Sequence, residues 1–293
     1  MKKTIGAVVA AFASLAAFAD EAAEVQQPEG GGATTNYFME AVREWVSLNA
    51  FAEIQSAYLA RGVVVDSHPF SAQFVNGEVN LGDFGHFGGY AWSVTSLSGT
   101  GQGAPKRNAY NEVDYNLHYV YDLRFDDDWS LANRVARQWV TLPGYRGNAK
   151  TICEWQAGQT FSNPYVTPYW LLRHAAQPEM WNYWDVGLLR SFGIVDSLSL
   201  TVKAFGELGN ARHFRSQYGA KPGEPDSHYH GGLQSLNLVL RLDYKVTEFL
   251  SVYAFVWQFD MVSEDARDAT KASCAPEAKR DLTVGGVGLS LSF

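Results

Sequence analysis

Glu112, Asp114, Asn116 and His118 stand at every second position of one stretch, and Val113, Tyr115, Leu117 and Tyr119 fill the positions between them. A β-strand sends successive side chains to opposite faces, so this spacing gathers carboxylates, an amide and an imidazole on one face and apolar groups on the other. Segments of similar pattern add Glu53, Arg134, Glu154, Arg190, Lys203, Glu207, Arg241 and Asp243 to the polar set. Both signs of charge are present in comparable numbers. Such a set supports two kinds of chemistry: solvation of small polar solutes along a wet passage, or pairing of charges across a packed interior.

Catalysis fits this pattern less well. His118 sits mid-strand among polar neighbours, His86 and His174 fall near strand ends, and His213 lies in a loop. None is spaced from a Ser or Asp as an activated nucleophile requires, and no G-x-S-x-G occurs. The reading is a non-enzyme. His228-Tyr229-His230 places two imidazoles at i and i+2 near Glu224 and Asp226, residue types that bind zinc. Two histidines in a long loop do not define a site, so neither a metal nor another cofactor is expected. Cys153 and Cys274 are too few for a disulfide scaffold. Both are expected on the same oxidising side, where a bond between them would tie the 262–280 loop to the sixth strand.

The elements that must carry these residues read as twelve strands, at 47–60, 70–80, 86–97, 111–122, 129–141, 151–161, 165–174, 181–192, 197–209, 232–245, 249–261 and 281–293. Their lengths suit tilted membrane strands of about 9–11 residues. The clearest, after 111–122, are 198–208 and 235–244, where aliphatic residues oppose Lys203, Glu207, Arg241 and Asp243. The connections alternate long and short throughout, as in a transmembrane up-and-down barrel with longer extracellular loops and short periplasmic turns. The fold class read from this is all-β: an antiparallel barrel of about twelve strands.

The ends of the chain fit an exported barrel. Lys2 and Lys3 precede an apolar run from Ile5 to Phe18, and Ala17-Phe18-Ala19 has the form of a signal-peptide cleavage site, giving cleavage after Ala19. Residues 20–46 read as a periplasmic linker followed by a short amphipathic helix over 36–46, and 47–293 as the barrel. No other apolar run is long enough to span a bilayer as a helix. The formal net charge is -8, two units more negative once Lys2 and Lys3 are removed, which argues against a nucleic-acid partner. At the far end, Val287, Leu289, Leu291 and Phe293 share one face, opposite Gly286, Gly288, Ser290 and Ser292. A final strand with an outward apolar row ending in Phe has the form of the signal read by the outer-membrane insertion machinery. Trp139, Tyr169, Trp170, Trp181, Tyr183, Trp184 and Trp257 are expected in the aromatic girdles at the two membrane interfaces.

Ala57-Tyr58-Leu59-Ala60-Arg61-Gly62 contains a Tyr-x-x-Arg-Gly element. With the alternating NEVDYNLHYVYDL strand, the Asn163-Pro164 turn into YVTPYW and the terminal VGLSLSF, it resembles the TorF-type porin family of proteobacteria over roughly residues 47–293. The resemblance implies a porin-like role in the outer membrane. The expectation is a monomeric channel for passive diffusion of small hydrophilic solutes, in contact with outer-membrane lipid and the insertion machinery. The alternative is a non-conducting barrel that acts through its outer loops.

Overall fold

A computed structural model describes residues 45–98, 110–142, 151–177, 180–218, 229–272 and 281–293. The expected leader, the expected linker and all but the last two residues of the expected helix lie outside this set. In chain order the elements are β1 (Val46–Gln55), β2 (Tyr58–Ala60), β3 (Val63–Asp66), β4 (Phe70–Asn80), β5 (His86–Ser96), β6 (Tyr110–Arg124) and β7 (Ser130–Thr141). There follow β8 (Ile152–Ser162), β9 (Thr167–Gln177), β10 (Trp181–Val195), β11 (Leu198–Gly209), helix α1 (Ala211–Tyr218), β12 (Gly232–Lys245), β13 (Leu250–Met261), helix α2 (Glu264–Ala272) and β14 (Asp281–Ser292).

Twelve of these strands form one closed antiparallel barrel, each bonded to its sequence neighbours, and β1 pairs with both β4 and β14. The closing seam continues past β14: Phe293 and Leu48 exchange backbone bonds of 2.9 and 3.2 Å. Closure leaves no open edge and satisfies backbone groups within the wall, the condition for a sheet in hydrocarbon. The outward face is apolar. Leu236, Leu238, Leu240 and Leu242 of β12 form a row that is 42–49% exposed, a surface suited to lipid rather than water.

The two rims differ. At one end the connections are short and held by side chains that cap the turn. Asp126 Oδ1 accepts from the backbone N–H of Asp128 and Trp129, Asn163 Oδ1 from Tyr165 and Val166, and Thr247 Oγ1 from Phe249 and Leu250. These residue types make such local turns readily. Phe125, Trp129, Phe161 and Tyr165 cluster on this rim. At the other end lie the longer connections, including those that carry α1 and α2.

The first long connection departs from expectation. Residues 47–60 read as one continuous strand, but β1 stops at Gln55. There the Ser56 N–H donates to the Gly285 carbonyl at 2.9 Å, and Ser56 Oγ accepts from the Gly285 N–H at 3.0 Å. The chain then leaves the wall and forms a separate hairpin, with Tyr58 opposite Asp66 and Ala60 opposite Val63. Arg61 and Gly62 make its turn with φ of 52° and 79°. Two successive positive φ values are what a tight hairpin turn of matching twist requires, and glycine takes the second at no steric cost.

Leu117, at the middle of β6 and 50% exposed, points outward, while Ser199 of β11 points inward beside Asp243 of β12. Leu117→Arg should cost about 2–4 kcal/mol of stability in lipid, and Ser199→Arg, which gains a carboxylate neighbour, close to nothing. Folded fractions after refolding into vesicles, read by heat-modifiable gel migration, check this. Equal losses from both would contradict the assignment of faces.

Candidate pore and its lid

The wall registers fix the direction of every strand side chain. Glu53, Glu112, Asp114, Asn116, His118, Arg134, Glu154, Lys203, Glu207, Arg241 and Asp243 all share the inward parity. Arg190 does not. It alternates with Leu189 and falls in the outward row of Val186, Leu188 and Phe192. Its guanidinium reaches the short-turn rim, donates to the Pro164 carbonyl and lies 5.7 Å from the Phe192 ring centroid. An arginine near an interface can snorkel in this way, its stem on apolar surface and its head at the polar rim.

At the long-loop end the β2–β3 hairpin bends into the barrel and touches walls on several sides. Arg61 at its tip forms an ion pair with Glu154 of β8, whose side chain is 0% exposed, and sits 4.9 Å over the ring of Trp181 in β10. Tyr58 donates to Glu112 of β6 at 2.6 Å. Gly62 lies against Gln234 of β12 so closely that a Cβ there would come within 2.8 Å of its Oε1. Above the hairpin, Phe214 of α1, Tyr229 and Ala266 of α2 join Leu59, Val64, Phe259, Met261 and Val284 in one dry cluster. His213 of α1 packs edge-on against Trp181 at 4.8 Å and beside Tyr183 at 5.0 Å. Burial, and then the Arg61 charge, push this imidazole well below its ordinary range, so it packs as a neutral ring.

Along the barrel the inward side chains bind one another. Gln138 donates to Asp114 at 2.7 Å and accepts from Tyr90 at 2.9 Å and from Gln156. Arg134 donates to Gln156 at 2.8 Å and Asn116 at 3.1 Å, and His118 bridges Asn116 at 3.1 Å and Glu78 at 3.0 Å. On the facing wall Arg173 pairs with Asp185. Glu207 accepts from Tyr183, from Ser235 at 2.5 Å and from Asn237 at 3.1 Å. Towards the short turns, Arg241 forks onto Asp243 at 2.6–3.0 Å and lies 3.7 Å over Tyr253, which donates to Glu53 at 2.8 Å. Gly288 makes room for that Tyr253 ring, which a Cβ would approach within 2.5 Å.

Between these walls and beneath the hairpin lies a cavity of about 320 Å³, lined by Arg61, Tyr90, Trp92, Arg173, Asp185, Lys203, Phe205, Glu207 and Trp257 among others. The inward face is therefore packed in part. Asn116, at 2% exposure, is held in the network and does not face open water.

Several site residues escape the sequence reading. Arg61 falls just past the strand read at 47–60 and carries no site role there, and neither Arg173 nor Asp185 stands out. Asp185 has a signal, since it opposes the outward Val186 and Leu188. Arg173 has little, because Leu171 and Leu172 make β9 apolar on both faces. Among the expected girdle aromatics, Trp139, Trp170 and Trp184 face outward. Tyr169, Trp181, Tyr183 and Trp257 face inward, on the parity of Arg173, Asp185 and Lys203. Cys153 alternates with the inward Glu154 and shares the outward parity of Trp155. Cys274 and His228 lie outside the described residues. His230 is 3.8 Å from Asp265, and among the described residues no group of His, Cys, Asp and Glu is arranged for a metal.

No protein-family model and no curated protein sequence matches the chain, so no family match supports the resemblance to TorF-type porins. Among solved structures, the chain is similar to the KdgM porin in complex with disordered oligogalacturonate, with 10% identity and a TM-score of 0.44 over 84% of this chain and 99% of that one. It is similar to an outer-membrane channel from Pseudomonas putida F1, with 10% identity and a TM-score of 0.49 over 85% and 96% of the two chains. The translocator domain of the autotransporter NalP from Neisseria meningitidis matches at 13% identity and a TM-score of 0.42, over 96% and 98%.

The buried Arg61–Glu154 pair gives a direct test of the lid. Removing one partner leaves the other charge uncompensated, a loss of roughly 3–5 kcal/mol. Arg61→Ala should therefore lower the urea midpoint in detergent strongly, and adding Glu154→Gln should restore much of the loss. A single variant as stable as the parent would mean that the tip is not seated on β8.

Proposed function

We propose that the chain is a porin-like channel of the outer membrane for passive diffusion of small hydrophilic solutes, narrowed by its first outer loop. The observation that carries this reading is the cavity beneath the hairpin, lined by charged and polar groups from opposite walls inside a barrel whose outer face is apolar. About eight strands leave room only for side chains, and sixteen or more leave a wide channel. Twelve leave an intermediate space, which the hairpin and the inward networks reduce to a narrow path. The long-loop rim faces the exterior in this reading and the capped short turns face the periplasm. Val287, Leu289, Leu291 and Phe293, on the outward face of β14, present the signal to the insertion machinery. The Tyr-x-x-Arg-Gly element on which the resemblance to TorF-type porins rests runs from β2 into the hairpin turn, and so falls on this loop.

A second reading has its own support. The dry cluster joins the hairpin to α1 and α2 at the long-loop end, as expected of a barrel that presents its outer loops to a partner and does not conduct.

Reconstituted into planar bilayers, the mature chain should give stepwise conductance far below that of a wide trimeric porin. Silent bilayers with verified insertion would favour the surface-interaction reading.

A further inference from the structure

The inward charges form a set in which nearly every member is engaged, and the exception lies in the cavity. Arg61 is tied to Glu154, Arg173 to Asp185, and Glu207 to Tyr183, Ser235 and Asn237. Lys203 of β11 faces the same cavity and has no ion pair among the described residues. Its ammonium lies 4.5 Å from the Phe205 ring centroid and 5.1 Å from that of Tyr169. Aromatic faces attract a cation only moderately, so this ammonium keeps donor capacity for an anion.

The rest of the lining decides what kind of anion. Of the two amides that line the cavity, Gln138 spends its NH₂ on Asp114 and its oxygen on Tyr90 and Gln156, and Gln55 donates to Glu53. The two lining carboxylates are committed as above. Both lining amides and both lining carboxylates thus have partners, and the remaining donors are the cations Lys203, Arg61 and Arg173, which favour an anion over a neutral sugar. The apolar part of the lining is ring faces: the part-exposed Phe205 and Trp257 stand 6.0 Å apart, tilted by 48°, and Trp92 lies 6.0 Å from the buried Tyr58. Planar rings pack well against such faces. A volume of about 320 Å³ is at the lower end of small-molecule sites, which suits a single ring.

We infer that the cavity is a binding site for a small planar-ring monocarboxylate of the benzoate type, its carboxylate held by Lys203 and its ring lying among Phe205, Trp257 and their neighbours. This names the solute class of the proposed channel and rests on that reading for its purpose, though binding itself can be measured without conduction.

The test is benzoate titrated into the detergent-folded barrel, followed by calorimetry and by tryptophan fluorescence, with benzyl alcohol and acetate as probes that keep only the ring or only the charge. Benzoate should saturate, and each of the others should bind at least about tenfold more weakly. Lys203→Arg should hold benzoate within a few-fold. Lys203→Met and Lys203→Gln, checked for folding by heat-modifiable migration, should weaken it roughly ten- to a hundredfold, as expected for a lost charged hydrogen bond. No saturation in the parent, equal binding to Lys203→Met or Lys203→Gln, or acetate binding as well as benzoate would each overturn the inference. Planar-bilayer recordings on the same preparation separate the two readings. Benzoate binding in a silent barrel retires the channel and keeps the site, and conductance without benzoate binding does the reverse.

Discussion

Everything in this molecule follows from the requirement that no backbone group of the wall be left without a partner. In an apolar surround each unmade hydrogen bond costs several kcal/mol, so the sheet must close, and it closes through β1, bonded to β4 on one side and β14 on the other. Closure with twelve strands fixes a lumen too wide to be filled by wall side chains alone. The fold then has an interior to fill, and it uses the first loop. Because the hairpin supplies its own backbone pairing between β2 and β3, it can enter the barrel without leaving many orphaned amides, which an irregular loop at that depth would do.

The lumen inherits a second constraint from this arrangement. Charges enclosed between a lid and a wall lose water and must find partners. The pairs Arg61–Glu154 and Arg173–Asp185, and the three donors on Glu207, meet that requirement with residues from different strands. Three carboxylates, Glu112, Asp114 and Glu154, lie near the single Arg61 guanidinium, and Tyr58 and Gln138 supply neutral donors to two of them. The polar interior is thus organised around the hairpin tip, and the free space left over is small and bounded by charged groups and rings together.

The wall was legible in the sequence because its determinants are local. Period-two alternation in 111–122, 198–208 and 235–244 gives both the strands and their faces, and the Asn163-Pro164 turn marks one rim. What was not legible is non-local. Residues 47–60 read as one strand, and the slip at Ser56-Ala57, where serine takes the apolar parity and alanine the polar one, is too slight to announce that the chain leaves the wall. The contact from Arg61 to Glu154 spans 93 residues and has no period. Arg190 was misplaced by weighing charge over parity, since Val186, Leu188 and Phe192 set its row as outward. The same preference for residue type over parity placed Trp181 and Tyr183 in a girdle, although they alternate with outward residues and share a face with Asp185.

The central claim is that the first outer loop, and not the wall, sets the bore. Polymer exclusion measures this directly: conductance is recorded in poly(ethylene glycol) of increasing size for the parent chain and for one in which residues 58–66 are replaced by a short Gly-Ser linker. The account predicts that the trimmed barrel conducts more and admits polymers that the parent excludes. Identical conductance and an identical size cut-off in the two chains would contradict it.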